Sequence, residues 1–366
     1  MHRSGEGNLR HRGAAKTMRY KLFGSSGLRV SELCLGTSMF GEERGWGAPK
    51  EACERVFRAF VEAGGNFIDT ANHYTEGTAE RWAGEFIAAE RERFVLATKF
   101  SLSMRLDDPN ASGNHRKNLV QSVEASLRRL KTDYIDLYWL HQWDDTTPVE
   151  EVMRALDDLV RAGKLLYLGI SDSPAWIVSQ ANMLADLRGW SRFVGLQIEY
   201  SLIERTVERE LLPMARALGL AVTPWGVVGG GVLSGKYHTA PDPNAPPGAM
   251  RHVINANSPR TSQRSLEIAA AVSDVAAEIG RSASQVALNW ARQQRGQVIP
   301  IIGARNETQA RENLACLEFT LEEEHLRRLD EVSRIELGFP HDFLSQPRIM
   351  VQRFGDTQHL MDWERG

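Results

Sequence analysis

Beginning at Glu32, this chain alternates short apolar, β-branched runs with longer segments in which apolar residues recur at helical spacing. That alternation is the pattern of parallel βα units, because two parallel strands need a crossover long enough to hold a helix. The runs are ELCLGTSM (32–39), NFIDTA (66–71), FVLATKF (94–100), YIDLYWLH (134–141), YLGISD (167–172), VGLQIEY (194–200), LAVTPWGV (220–227) and VIPIIG (298–303). Eight strands, each followed by a helix, favour a single-domain α/β fold, the closed (β/α)8 TIM barrel, over an open doubly wound sheet. A barrel gathers the C-terminal ends of all its strands around one mouth, where active sites form.

The helices announce themselves by spacing and by caps. After Pro49, the residues Cys53, Val56, Phe57, Phe60 and Val61 form an apolar stripe, and Gly64-Gly65 supplies a stop. Thr147-Pro148-Val149-Glu150 reads as a capping box with proline at the first helical position, and Ser282 with Gln285 and Thr320 with Glu323 read as two more. The barrel is expected over residues 18–335. YKLFGSSGLRV (20–30) resembles a hairpin that would close its bottom. Residues 1–17 read as a loose extension, and 336–366 as a tail that packs near the mouth as a loop. The interval between the last two strands is unusually long. It contains the Gly-, Pro- and Asn-rich stretch 229–262, a candidate binding loop or lid.

Composition narrows the partners. With 42% apolar and 25% charged residues the chain can bury a large core, and a formal net charge of -3 leaves no basic footprint for nucleic acid or an anionic membrane. No run of about 18 apolar residues occurs, so no membrane span is expected and a cytoplasmic location is. Cys34, Cys53 and Cys316 fit no disulfide or metal pattern, and the ten histidines show no ligand spacing, so no metal site is expected. The partner implied is a small molecule.

Four polar residues fall where a barrel would aim them at its mouth: Asp69 and Lys99 within strand runs, His141 at the end of one, and Tyr74 in the loop after Asp69. Burying Asp and Lys at strand ends is costly unless they pair. A Lys99–Asp69 pair beside Tyr74 would lower the phenol's pKa and let it donate a proton, while His141 could orient a carbonyl oxygen. Singly, each has an ordinary structural explanation: a strand cap, a snorkelling lysine, a packed aromatic, a satisfied core histidine. Four such coincidences on three successive strands are harder to accept.

NFIDTANHY, LATKF, DLYWLHQWD, GISDS, LQIEYSL, TPWG and IPIIGARNETQARENL together resemble, in order, the signatures of the aldo-keto reductases, across roughly residues 18–335. The resemblance implies an NADP(H)-dependent carbonyl reductase whose tetrad is Asp69, Tyr74, Lys99 and His141, with Tyr74 as general acid. It further implies that Ser171, Asp172 and Gln197 meet the nicotinamide carboxamide and that Trp225 stacks on the ring. Gly226, Gly231 and Lys236 would lie along the pyrophosphate. Gly303, Arg305, Gln309, Glu312 and Asn313 would take the adenosine end, with Asn306 capping a helix that receives the 2′-phosphate beside Arg305. Two departures are visible: Asp172 stands where many members have asparagine, and Gly226-Val227-Val228 replaces the common Ser-Pro-Leu.

Other readings are weaker. Gly230 to Lys236 spells a P-loop-like G-x-x-x-x-G-K but is followed by Tyr237 where magnesium needs Ser or Thr, and no G-x-G-x-x-G follows the first strand. A Schiff-base aldolase using Lys99 is disfavoured because a lysine paired with Asp69 stays protonated. A cofactor-binding regulatory subunit of the same fold stays open, as do oligomeric state and substrate, whether aromatic, sugar-derived or polycyclic. Trp46, Trp143, the 229–262 stretch, Phe339 and Phe343 are the mouth residues expected to decide the last.

Overall fold

The computed structural model describes residues 18–43, 45, 47–235 and 259–361. Two short strands, β1 (Tyr20–Leu22) and β2 (Arg29–Ser31), pair antiparallel as the expected hairpin. Eight parallel strands then follow in chain order: β3 (Cys34–Gly36), β4 (Phe67–Asp69), β5 (Val95–Phe100), β6 (Ile135–Leu140), β7 (Leu165–Ser171), β8 (Phe193–Glu199), β9 (Ala221–Trp225) and β10 (Ile301–Ile302). β10 pairs with β3, and a parallel bridge between Val222 and Val298 closes the cylinder. The fold is a (β/α)8 barrel.

The first and last strands are much shorter than the runs that announced them. In the last run Pro300 has no N–H to give a ladder. Its carbonyl instead accepts from Cys34 N at 2.9 Å, and regular pairing resumes only at Ile301. Ile299 N to Val222 O, at 2.8 Å, carries the closure on the other side.

Alternation along the strands sorts side chains into two cores. Phe67, Val95, Ala97, Leu137 and Trp139 point inward and pack with Phe23 of the hairpin, whereas Ile68, Leu96, Tyr138 and Leu140 point outward to the helices. Phe23 is fully buried, edge-on to Phe67 at 5.5 Å and to Trp139 at 6.2 Å, so the hairpin plugs the bottom of the barrel. Gly169 makes room for this plug: a Cβ there would lie 2.2 Å from the Trp139 ring.

Helix α1 (Lys50–Glu62) buries Cys53, Val56, Phe57 and Phe60 as expected and ends where Gly64 takes φ +92°. The Ser282–Gln285 capping box is formed in full at the start of Ala283–Arg292. The other two boxes are not. Thr147 gives its N–H and hydroxyl to Asp144, so Pro148 becomes the N-cap of Val149–Arg161. Glu323–Ser333 begins after Glu322 with no side-chain cap, so Thr320 lies outside it.

The tail is another departure. Instead of a loop it forms the helices His341–Leu344 and Pro347–Phe354, and Phe339 and Phe343 stay 84% and 43% exposed, packed on each other rather than into the mouth. Its ties to the barrel are at the loop after β8, where Arg209 reaches Glu336 O and His341 reaches Glu210. The three cysteines are buried and free, and burial raises their thiol pKa values, so they act as packing groups. No helix among the described residues is long and apolar enough to cross a membrane.

Candidate active site

The inward row of each strand ends at the mouth, and there the apolar sequence gives way to polar residues. Asp69 follows Phe67 on the inward face of β4, Lys99 follows Val95 and Ala97 on β5, and His141 follows Leu137 and Trp139 just past β6. Register aligns Asp69 with Ala97 and Lys99 with Trp139, so the three polar ends sit side by side. One strand period thus explains both the packed bottom and the polar top.

Lys99 and Asp69 form an ion pair with 0% and 3% side-chain exposure. The Lys99 ammonium also donates to Thr70 O at 2.8 Å and approaches the Tyr74 hydroxyl at 3.4 Å. Burial alone would lower the Lys99 pKa. The charge of Asp69, helped by Tyr74, outweighs it and holds the ammonium above the ordinary lysine range. A lysine held so firmly cationic is a poor nucleophile and a strong electrostatic group.

Tyr74 reaches this pair because the chain turns sharply after β4. Asn72 N still bonds to Lys99 O, Tyr74 N bonds back to Ala71 O, and then Thr75 and Glu76 take φ +45° and +54°. Left-handed backbone at a β-branched residue stores strain, of roughly 1–3 kcal/mol, and here it lies directly beside the phenol. The Tyr74 and His141 rings meet edge-on at 6.0 Å.

Asp69, Tyr74 and His141 line one end of a cavity of about 940 Å3, with Lys99 buried behind them. It runs past Gln197, Asp172, Trp225, Gly226 and Gly231 to Gly303, Arg305, Gln309, Glu312 and Asn313. Of the residues expected to meet a cofactor, Ser171 is buried beneath the lining, and Lys236 lies outside the described residues, as does most of the 229–262 stretch. Gln197 has a partner not foreseen: its amide donates to Asp69 Oδ1 at 3.0 Å. Asp172 takes φ +40°, accepts from Trp225 Nε1 at 3.2 Å, and, though its surface is exposed, has its carboxyl pushed up to about 6 by desolvation where it lines the cavity. Asn306 caps Glu307–Leu314 by accepting from Gln309 N at 2.9 Å, as expected. Gln309 and Asn313 turn their side chains onto Arg305 N and Gly303 O, bracing the loop before that helix.

Other lining residues escaped the sequence reading. Met39 and Leu102 contribute apolar lining, and Arg260 pairs with Glu199 at 2.7 Å while lying over the Trp225 ring. His73 packs against both Tyr74 and His141. Its only sequence signal was its place next to Tyr74. Conversely, Trp143, Phe339 and Phe343 do not line the cavity, and Trp46 lies outside the described residues.

Such a site can hold a long, partly anionic ligand and protonate an oxygen at its closed end. The sequence profile of the Aldo/keto reductase family matches residues 32–334. A norsolorinic acid reductase of Emericella nidulans is 40% identical over 92% of this chain and 87% of its own length. An aryl-alcohol dehydrogenase of Pestalotiopsis microspora is 36% identical, covering 87% and 83%, and an aldo-keto reductase of Aspergillus calidoustus is 37% identical, covering 89% and 85%. With the barrel, the pocket at its mouth and these relatives in agreement, the chain belongs to the aldo/keto reductase family.

Proposed function

We propose that this chain reduces an aryl aldehyde or ketone to the alcohol with NADPH, Tyr74 serving as general acid. The observation that carries the reading is the Lys99 ammonium, sealed against Asp69 and within 3.4 Å of the Tyr74 hydroxyl at the closed end of the cavity. NADPH, when bound, supplies the hydride. Negative charge then grows on the carbonyl oxygen, and the Tyr74 hydroxyl gives it a proton. Lys99 stabilises the phenolate left behind, Asp69 keeps Lys99 charged, and His141 offers a second hydrogen bond to the same oxygen. Lys99 is thereby removed from any Schiff-base role.

The residues present fit the cofactor. The cavity of about 940 Å3 lies at the upper end of the roughly 300–1,000 Å3 typical of small-molecule sites, with room for a dinucleotide and a substrate. Its far end opens at the Asn306-capped helix, where backbone N–H groups and Arg305 suit a phosphate. Trp225 would face the nicotinamide. Gln197, its amide nitrogen held by Asp69, keeps its oxygen for the carboxamide, with Asp172 and Ser171 alongside. Gly226 and Gly231, at φ +69° and +104°, would let the backbone approach the pyrophosphate. The aryl preference follows the aryl-alcohol dehydrogenase among the relatives and the apolar lining residues Met39 and Leu102.

The test is oxidation of NADPH, followed by its absorbance, over a panel of aromatic and aliphatic aldehydes and ketones. Turnover concentrated among the aryl compounds is expected. Absence of turnover across the panel, with NADPH bound, would return the protein to the regulatory reading.

A further inference from the structure

A carbonyl oxygen has two lone pairs, and the proposed reaction fills both, one from Tyr74 and one from His141. The cavity holds a third polar ring at the same pole. His73 lines the cavity with its ring centroid 5.0 Å from Tyr74 and 5.1 Å from His141, and those two are 6.0 Å apart. The three rings therefore form a compact triangle in a pocket whose lining also includes the apolar Met39 and Leu102. The neighbouring Asn72 is tied to Lys99 O at 3.2 Å and Tyr74 N to Ala71 O, also at 3.2 Å, so the position of His73 is set by the same turn that sets the acid.

A polar ring packed against the rings of both groups proposed to hold the reacting oxygen is placed to meet a second oxygen on the same substrate. We propose that His73 is a specificity-determining residue for carbonyl compounds that carry a second oxygen, hydroxyl or carbonyl, adjacent to the group being reduced. The inference rests on the reductase reading above and names the substrate class of that same site. Such substrates present two oxygens side by side. Tyr74 and His141 take the one on the carbon that receives hydride, and His73 takes its neighbour. An imidazole suits this task because one nitrogen donates and the other accepts, so either a phenolic hydroxyl or a ketone oxygen can be met by the appropriate tautomer.

The experiment compares wild type, His73→Leu and His73→Gln on two matched pairs with NADPH: 2-hydroxybenzaldehyde against benzaldehyde, and 1-phenylpropane-1,2-dione against propiophenone. The ratio of kcat/KM within each pair cancels general damage to the site. In at least one pair the wild-type ratio is expected to exceed that of His73→Leu by about tenfold, the order of one hydrogen bond in a dry site, since the substrates' intrinsic reactivity difference is common to both enzymes. His73→Gln is expected to restore part of the lost ratio. Which pair responds tells whether a phenolic or a ketone oxygen is read. Ratios that are the same in wild type and His73→Leu for both pairs overturn the proposal. Binding of the same four compounds, followed by quenching of intrinsic tryptophan fluorescence, separates it from the reading beneath it. If no compound turns over, the reductase reading fails. The His73 proposal then stands or falls on whether wild type binds the doubly oxygenated partner more tightly than His73→Leu does.

Discussion

At its closed end the cavity is built from buried strand termini, and at its far end from a loop and a helix start open to solvent. Lys99 and Asp69 are sealed at 0% and 3% exposure and tied to Thr70 and Gln197. Arg305, Gln309 and Asn313 are half-buried, and the last two bond to the backbone of their own loop. Groups at the closed end have given up water and depend on one another, so removing one strands the rest. Groups at the far end keep solvent as an alternative partner, and their losses are smaller and more selective.

The sharpest way to break this contrast is at the phenol. Tyr74→Phe removes one hydroxyl and little packing, and carbonyl reduction is expected to fall by roughly 10²–10⁴-fold with NADPH binding near wild type by fluorescence titration. Near-full turnover would remove Tyr74 from the mechanism. Lys99→Met should lose activity on a similar scale and, unlike Tyr74→Phe, also stability. Leaving Asp69 buried without its counter-ion costs about 3–5 kcal/mol, read by thermal or urea denaturation. Equal stability of the two variants would contradict the coupled, desolvated closed end.

The far end predicts a gentler result. Arg305→Ala is expected to weaken NADPH by about 10–100-fold, the scale of a charge-assisted hydrogen bond, while NADH binding changes little. Equal losses for both cofactors would show that Arg305 does not read the 2′-phosphate.

The smallest effect is expected at Asp172, between the two ends. Its carboxyl is pushed up to about 6 by desolvation at the cavity, so the group is neutral below that pH and anionic above it, in a cavity proposed for an anionic cofactor. NADPH affinity should therefore fall a few-fold as pH rises through about 6, and this component should be missing in Asp172→Asn, which binds as well as wild type or better. Stability has the same sign. A carboxyl raised in the folded state favours folding when protonated, a contribution lost as pH rises from about 4 to about 6. A large loss of affinity in Asp172→Asn would mean that the carboxylate, through Trp225 Nε1, has a structural task of its own.

The barrel was legible because its signals are local. Period-two runs, glycine stops such as Gly64 and the Ser282 cap are each decided within a few residues. Where two local signals competed, the weaker one misled. Thr147 had a capping pattern but found Asp144, and the long VIPIIG run was cut short by one proline. The tail showed no usable period, yet it folds into two short helices. At the site, Asp69, Tyr74, Lys99 and His141 could be picked out because polar residues at the ends of apolar strands have few cheap explanations. His73 and Arg260 could not, since a histidine or arginine in a loop is unremarkable until its neighbours are known.

By itself, then, the order of residues determined the strands, their inward rows and the fact that charge would be concentrated at one end of a barrel. These follow from backbone periodicity and the cost of burying polar groups, both of which act along the chain. Only the tertiary structure decided that Gln197 would bond to Asp69, that Trp225 would lean on Asp172, and that His73, Tyr74 and His141 would form one triangle. Those choices join residues as far apart as 128 positions, and they are made by barrel closure and strand register, which no local stretch of sequence contains.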